Sequence, residues 1–596
     1  MVNEIRPPLS QTIAQTITYA YDANSNLTRV TDPKGQIKQY VYDDNNRRTQ
    51  ENHYLNAAAL AINNLIKSIT YTYNTLDRLT GYADGNSTAT YSYDAKQLRQ
   101  TGQSVNYGTF SLATSTSYNT LGQKSSLTYP DGAKYSYTYN TNNQLSSVNL
   151  PTGFGSITFN SYTWTVPAQI TLPGGTIRNQ SYDGLLRLKD LNVKDPGQSQ
   201  VLSYQYNYDL TSNITTKATE AGTTSYGYDT LDHLTSASYS GSTQTNETYT
   251  YDGIANRLTD SKTAAATWVY DTNNQLTSAG TKTYTYDANG NTTNQTDSAN
   301  PANTRNYVYD TDNRLIEVRN SSNALIAAYS YDPFGRRLSK DAGTSKTYYF
   351  YNEEGLIAEA DATGQLTKSY GYAPGSTFST NPLWQKSGTA YYTYQNDHLG
   401  TPQKLLSQSG AVVWSATYDA FGKATVNPAS TISNNLRFPG QYFDVETGLH
   451  YNWHRYYDSG TGRYVTSDPI GLKGGINIYT YVYQNPVLSI DPTGELPVFI
   501  VTGLVSGIVG GIGGAYFSSP GCGRSGFIRG FIVGGATGLL GAAGSGIGGK
   551  AFEFGLRASP STVGSIISAI SGSLIGSAVS GLDGVSSAIG SSGCGC

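Results

Sequence analysis

The sequence predicts an all-β chain, a long array of stacked hairpins followed by a short apolar tail of different chemistry. Three observations carry that expectation. Tyrosine occurs 51 times, against 15 phenylalanines and a single methionine. A phrase of the form Tyr-x-Tyr-Asp/Asn recurs along the chain, followed by a polar stretch and then by Leu-Thr or Leu-x. Helical signals are almost missing before residue 495, apart from a short run at residues 57–65.

The length, 596 residues, exceeds the ~250–300 at which a single core stops growing, so several domains or one repeat architecture are expected. The repeat decides between them. It reads YAYDANSNLTRVTD from Tyr19, YTYNTLDRLT from Tyr71, YTYNTNNQLSSV from Tyr137 and YGYDTLDHLTSA from Tyr226. Later copies are YTYDGIANRLTD from Tyr249, YTYDANGNTTNQTD from Tyr284, YVYDTDNRLIEV from Tyr307 and YSYDPFGRRLSK from Tyr329. Tyr-x-Tyr places two rings on one face of a strand, because strand side chains alternate. Tyrosine suits such a face, since its ring packs while its hydroxyl reaches water or backbone. The Asp-x-Asn/Gly segment is turn chemistry, with short polar side chains bonding their own backbone and Gly or Asn accepting φ > 0. Leu-Thr then opens the return strand. One such hairpin cannot bury its own apolar face, whereas hairpins set side by side share one.

Charged residues make up 14% of the chain and the formal net charge is −3, which argues against a nucleic-acid binder. The cysteines are Cys522, Cys594 and Cys596, so no disulfide holds the first 500 residues. The opening MVNEIRPPLSQTIAQ has no basic stretch followed by an apolar one. A non-Sec route to the cell surface or exterior is therefore expected, or a start other than the natural one.

Beyond the repeats, residues 391–495 carry YYTYQNDHLGTPQKLLSQSGAVVWSATYDAFGKA and LRFPGQYFDVETGLHYNWHRYYDSGTGRYVTSDPIGLKGGINIYTYVYQNPVLSIDPTGE. This segment resembles the repeat-associated core of the Rhs/YD-repeat family. Those are bacterial polymorphic toxins whose shell is shared with toxin-complex C components and teneurins. The resemblance implies a spiralling β-hairpin shell, a hollow cocoon that encloses its own carboxyl-terminal segment as cargo. It divides the chain into a repeat array at 1–390, a core at 391–495 and a variable effector segment at 496–596. Family members often carry an amino-terminal loading domain, and this chain begins almost directly in repeats. A secretion-machine component and an immunity protein are the partners that the resemblance implies.

In the family the tail is released by self-cleavage after a DPxGL motif through shell aspartates. The matching positions are Asp468, in TSDPIGL, and Asp491, in IDPTGEL. Two adjoining carboxyl groups do not both ionise cheaply, so one keeps its proton as acid while the other serves as base on a water. This sequence departs from the pattern, with Glu495 where leucine is expected and Leu496 one place late. Glu495–Leu496 is the expected scissile bond, Leu496–Pro497 the less favoured one because proline stands on its leaving side. Asp-Pro is also a turn starter and recurs at Asp32, Asp195 and Asp332 in ordinary repeats. His450 and His454 read as a surface pair on one strand face, with no third ligand to make a metal site. Asp397 and His398 read as a turn. No cofactor motif is present.

After Pro497 tyrosine falls to Tyr516 alone, and Val498–Phe517, Phe531–Gly549 and Ser561–Leu582 carry no charge. Twenty helical residues span a ~30 Å hydrocarbon layer. Glycines four apart, Gly503, Gly507 and Gly511, then Gly526, Gly530, Gly534 and Gly538, have the spacing that lets membrane helices approach closely. The tail has no histidine, which leaves nuclease or deaminase chemistry without its usual groups. A small helical, membrane-active effector is expected, with an inert cavity-filling segment as the alternative. The rival reading of the whole chain is a YD-repeat surface adhesin whose tail is not toxic.

Overall fold

The computed structural model describes residues 2–6, 15–96, 98–263 and 268–499. The three uncharged tail stretches (Val498 and Phe499 apart) and all three cysteines lie outside them. Met1–Asp43 and Arg47–Val505 make up one compact unit. Its strands are antiparallel, and each pairs with its neighbour in sequence. A 23-stranded sheet runs from Val2–Arg6 to Arg257–Asp260, and a 16-stranded sheet from Val269–Tyr270 to Ala424–Val426. We refer to them as the first and second pass. A four-stranded sheet from Tyr442–Phe443 to Arg463–Tyr464 follows, then the pair Ser489–Ile490 and Val498–Phe499. The helical run is real but short, Ala57–Ala61, capped by the Asn56 side chain.

Each repeat folds by the same local rules. In Tyr206-Asn207-Tyr208-Asp209 the ladder slips by one residue between Asn207 and Tyr208, and the turn begins there. The Asp209 carboxylate accepts from the amides of Thr211 and Asn213 at 2.9 and 2.8 Å. The third residue after the turn aspartate or asparagine has φ > 0, whether it is Asn143, Gly290, Leu186 or Ala255. Leucine and alanine there show the side-chain-held turn overriding residue preference. The second tyrosine of the phrase then reaches sideways. Its hydroxyl donates to the carbonyl that opens the return strand of the preceding hairpin. Tyr42 bonds to Leu27, Tyr139 to Lys124, Tyr208 to Leu188, Tyr251 to Leu234 and Tyr418 to Pro402, all at 2.7–2.9 Å. The first tyrosine goes inward instead; Tyr71, Tyr137, Tyr206, Tyr249 and Tyr329 are buried.

Open twisted sheets rarely exceed ~10 strands without curling, and this ribbon winds back onto itself. Tyr107 donates to the Tyr349 carbonyl at 2.7 Å, 242 residues on, and Tyr135 meets Tyr391 at 2.8 Å, 256 residues on. Further along the separation shortens. Tyr204 bonds Gln403 across 199 residues, Gln244 reaches the Tyr418 carbonyl across 174, and Lys262 pairs with Asp419 across 157. Fewer residues complete each circuit, so the coil tightens toward its carboxyl end.

Several repeats place a buried leucine five residues after the turn aspartate, as at Leu188, Leu234 and Leu315. Three place arginine there, Arg48, Arg257 and Arg337, of which the last two reach the carboxyl-terminal segment. Arg257 lies under Tyr249 and Phe421, 4.5 and 3.9 Å from the ring centres, and pairs with Asp260 at 3.0 Å. Arg337 is ringed by Tyr329, Tyr349, Tyr442 and Tyr451 and pairs with Asp444 at 2.5 Å. Desolvated guanidiniums keep their charge when paired and stacked on rings. Both fasten the segment after residue 420 to the ribbon.

Replacing Tyr208 by phenylalanine keeps the ring and deletes only the bond to Leu188. Chemical denaturation should show a loss of about 1 kcal/mol, whereas Tyr208→Ala should cost about 3–5 kcal/mol. Equal effects of the two would mean that the hydroxyl contributes nothing.

Candidate self-processing site in the carboxyl-terminal segment

The two aspartates singled out by sequence come together, and Arg455 stands between them. It comes from the strand Arg455–Asp458. Its guanidinium lies 2.9 Å from Asp468 and 3.3 Å from Asp491 and stacks on Tyr464, 3.5 Å from the ring centre. Its Nε donates to the Gly494 carbonyl at 2.5 Å. Both carboxyl groups are buried.

Asp468 is set by the Asp-Pro turn. Its amide donates to the Ile478 carbonyl at 2.9 Å, and its carboxylate accepts from the Ile470 amide at 2.9 Å. A short 3-10 turn, Gly471–Lys473, carries the chain to Gly474. A Cβ at Gly474 would stand 2.3 Å from the Asp468 carboxylate and 3.2 Å from the Glu495 carbonyl oxygen. Glycine therefore lets a buried acid and the carbonyl of the expected scissile bond face the same small space.

Asp491 is held more fully. One oxygen accepts from the amides of Gly494 and Glu495, at 2.9 and 3.1 Å. The other accepts from Tyr464 at 2.8 Å and faces Arg455. All of its roughly four acceptor positions are taken. The longest of these contacts, to Arg455, is the easiest to exchange. Gly494 adopts φ +74°, and a Cβ there would meet the Asn452 carbonyl at 2.4 Å, so the DPTG turn requires glycine at this position.

Three acids, Asp468, Asp491 and Glu495, share this single guanidinium. Burial drives the Asp468 carboxyl up to about 7 despite Arg455, and burial with the Asp491 charge drives Glu495 up to about 7. A carboxyl that retains its proton near neutrality is the form needed to donate to a carbonyl oxygen. The segment beyond is anchored, since Val498 and Phe499 pair with Ile490 and Ser489.

The histidines differ from the expected surface pair. His450 is buried, bonds Gln441 at 2.7 Å and has its pKa lowered to about 3 by burial and by Arg437. His454 sits in the following turn, its amide donating to the Thr493 carbonyl at 3.1 Å. Burial lowers its pKa to about 4, and its ring stands 3.8 Å from Glu495. The segment belongs to a packed core rather than an exposed sheet, which is why both point inward. Asp397 forms the expected turn, accepting from the Leu399 and Thr401 amides. His398 adds a bond to the Val487 carbonyl at 2.7 Å.

Sequence reading missed Arg455. Its signal is faint, a lone Arg in NWHRYYD, although Arg257 and Arg337 betray themselves by standing where the repeat has leucine. Among the described residues, Glu51, His53 and Asp312 bring metal-type ligands within 4.8 Å of one another. Asp312 is already engaged by Lys38 and Arg314, at 3.1 and 2.9 Å, and Glu51 by Arg48 at 3.2 Å. The cluster is an ion-pair knot between the two passes.

Comparisons with known proteins follow the same lines. The sequence pattern of the Teneurin YD-shell family matches residues 154–487, and that of the RHS repeat matches residues 15–53. The chain is 30% identical over 325 residues to double-stranded DNA deaminase toxin A of Burkholderia cenocepacia, covering 48% of this chain and 22% of that protein. It is 41% identical over 110 residues to toxin protein Tse5 of Pseudomonas aeruginosa, covering 18% of this chain and 8% of that one. The chain thus spans a small part of the length of these relatives. In the crystal structure of TcdB2-TccC3-Cdc42 the same fold recurs with a TM-score of 0.66 at 17% identity, over 81% of this chain and 27% of that one.

Asp468 and Glu495 bind their protons more tightly folded than unfolded, from reference values of 3.8 and 4.5. The stability they confer is full below about 4 and is lost as pH rises through about 7. Denaturation midpoints of the full chain should fall over that window, and Asp468→Asn with Glu495→Gln should flatten the fall. An unchanged slope in the double variant would place the titration elsewhere.

Proposed function

The chain belongs to the Teneurin YD-shell family, and from that premise we propose that it is a toxin shell that encloses its own carboxyl-terminal segment and cuts itself between Glu495 and Leu496. The observation that supports this reading best is the meeting of the Asp468 carboxyl and the Glu495 carbonyl at Gly474, beside a second aspartate on the same arginine.

In this reading protonated Asp468 donates to the Glu495 carbonyl oxygen. A water replaces Arg455 at Asp491, gives that carboxylate a proton and attacks the carbonyl carbon. The tetrahedral intermediate collapses as Asp491 gives its new proton to the Leu496 nitrogen, the C–N bond breaks and a hydroxyl proton of the intermediate returns to Asp468. Glu495 ends as a carboxylate and Leu496 as an amine, with one water consumed. Arg455 gathers the two acids before that exchange and, through Gly494, holds the peptide plane throughout.

The released segment, 496–596, is proposed to act on a target membrane, on the strength of its uncharged stretches and four-residue glycine spacing. The names of the relatives point elsewhere, toward cargo that acts on nucleic acid, but a tail without histidine offers little for such chemistry.

Purified full chain should run as two species in denaturing gels, their masses placing the break after Glu495. Asp468→Asn and Asp491→Asn should each leave one full-length species. An uncut wild-type chain with an intact core would end the self-processing reading. Residues 497–596 directed to a bacterial periplasm should collapse the membrane potential read by a voltage-sensitive dye, and the same tail joined to 1–495 should not. Asp at Gly530 and Gly534 should abolish the effect, at ~2.5–3.5 kcal/mol each for a buried carboxylate in lipid. Intact potential together with nucleic-acid damage would transfer the tail to the relatives' class.

A further inference from the structure

Three consecutive residues, Val482, Tyr483 and Gln484, have φ of +43°, +53° and +59°. None is glycine, and left-handed backbone is unfavourable for any residue with a Cβ, most of all for a β-branched one such as valine. Such a turn persists only where its surroundings over-determine it, and here they do. The amides of Gln484 and Asn485 donate to the carbonyls of Tyr481 and Val482 at 3.0 and 3.1 Å. The Gln484 side chain donates to the Ala255 carbonyl at 3.0 Å, and that of Asn485 to Asn213 and to the Asp232 carbonyl, both at 2.9 Å. Tyr481, Val482, Gln484 and Asn485 are all buried, whereas Tyr483, at the apex, is 41% exposed. Packing in the core therefore explains four of these five residues. The apex needs only a residue at ease with φ > 0, such as glycine or asparagine. It carries a large ring instead.

What the ring touches supplies a reason. A Cβ at Gly475 would stand 3.2 Å from Tyr483 Cε1, so the ring lies against the backbone there. The residue before it, Gly474, is where the Asp468 carboxyl and the Glu495 carbonyl meet. The loop that carries both glycines projects from the core, with Leu472 and Ile476 each 74% exposed. Its ends are fixed. The Asp468 amide donates to the Ile478 carbonyl at 2.9 Å, and the Asn477 side chain to the Ile254 carbonyl and to Asn256 at 3.1 and 2.6 Å. Between those ends Tyr483 backs the loop. Burial, then the charges of Asp468 and Asp491, raises the Tyr483 hydroxyl above its ordinary value, which sets the phenol within electrostatic reach of both acids.

We propose that Tyr483 is a positioning residue for the self-cleavage, its ring bracing Gly475 so that Gly474 keeps the Asp468 carboxyl and the Glu495 carbonyl in one space. Within the self-processing reading, on which this role rests, the strained turn is the mount and the ring is the brace. Rate gained from fixed geometry is lost when reacting groups move by as little as ~1 Å, and a projecting loop without its brace has that latitude. Tyr483 takes no part in proton transfer in this scheme and acts through Gly475.

The test follows cleavage of newly translated full chain by pulse–chase, with thermal melting measured on the same substitutions in uncut Asp468→Asn chains. Tyr483→Gly and Tyr483→Asn accept left-handed backbone, so they should melt no lower than Asp468→Asn alone. Their cleavage should nevertheless slow by roughly tenfold to a hundredfold. Tyr483→Phe keeps the ring and should restore most of the rate. A merely structural role would lower melting point and rate together, which would overturn the proposal. Wild-type rates in all three variants would overturn it too. So would a phenylalanine variant as slow as the glycine one, since the hydroxyl rather than the brace would then matter. If the glycine variant does not fold, the asparagine and phenylalanine variants decide by the same comparison. A folded wild-type chain that never cuts removes the self-processing reading itself, and this role with it.

Discussion

A tyrosine hydroxyl bonded to the carbonyl of the preceding hairpin is the contact on which the rest of this molecule depends. Backbone ladders hold each strand to the next, but a ladder by itself does not fix how the turns at a ribbon's edge lie against one another. The bond from Tyr208 to Leu188, repeated at many turns from Tyr42 to Tyr418, ties those tips to their predecessors, whereas the Tyr309 hydroxyl is buried without a partner among the described residues. The bond also satisfies a carbonyl where the ladder slips, which would otherwise be an unpaired acceptor beside buried side chains. Phenylalanine fills the same volume but leaves that acceptor alone. This is a physical reason for 51 tyrosines and so few phenylalanines.

With tips and strands fixed, the curl of the sheet has somewhere to go. The ribbon returns to itself after about 250 residues at first and after 157 near its end. The tightening leaves the carboxyl-terminal segment against strands from both passes, and buried arginines close that contact. Arg257 and Arg337 exchange the apolar filling used in neighbouring repeats for a charge inside rings. Such pairs contribute modestly to stability, yet they reject misplacement, because either partner alone would be a buried unpaired charge.

The hairpin, its turn and the placing of both tyrosines on one strand face were legible in the sequence, because each follows from spacing within a dozen residues; the different roles of the two tyrosines were not. Asp468 and Asp491 were legible as a pair through their motifs. What surrounds them was not. Arg455 lies 13 residues before one aspartate and 36 before the other, and nothing local marks it as their common partner. Gly474 is one of three glycines around Lys473, and its role appears only once Asp468 and Glu495 are brought to it. His450 and His454 were misread for a similar reason. Alternation gives the face of a strand, but tertiary packing decides whether that face meets water.

The short pairing of Val498–Phe499 with Ser489–Ile490 separates two events usually spoken of as one. A break before Leu496 would remove the covalent link yet leave the downstream end clipped to the strand that precedes the break. The clip is intramolecular in origin, so the new terminus starts at a high effective concentration and re-engages readily. Departure then has its own clock, set by the fraying of two residue pairs and by whatever pulls on the chain. Processed protein could stay assembled in storage and come apart only under load, with chemistry arming the molecule and mechanics discharging it.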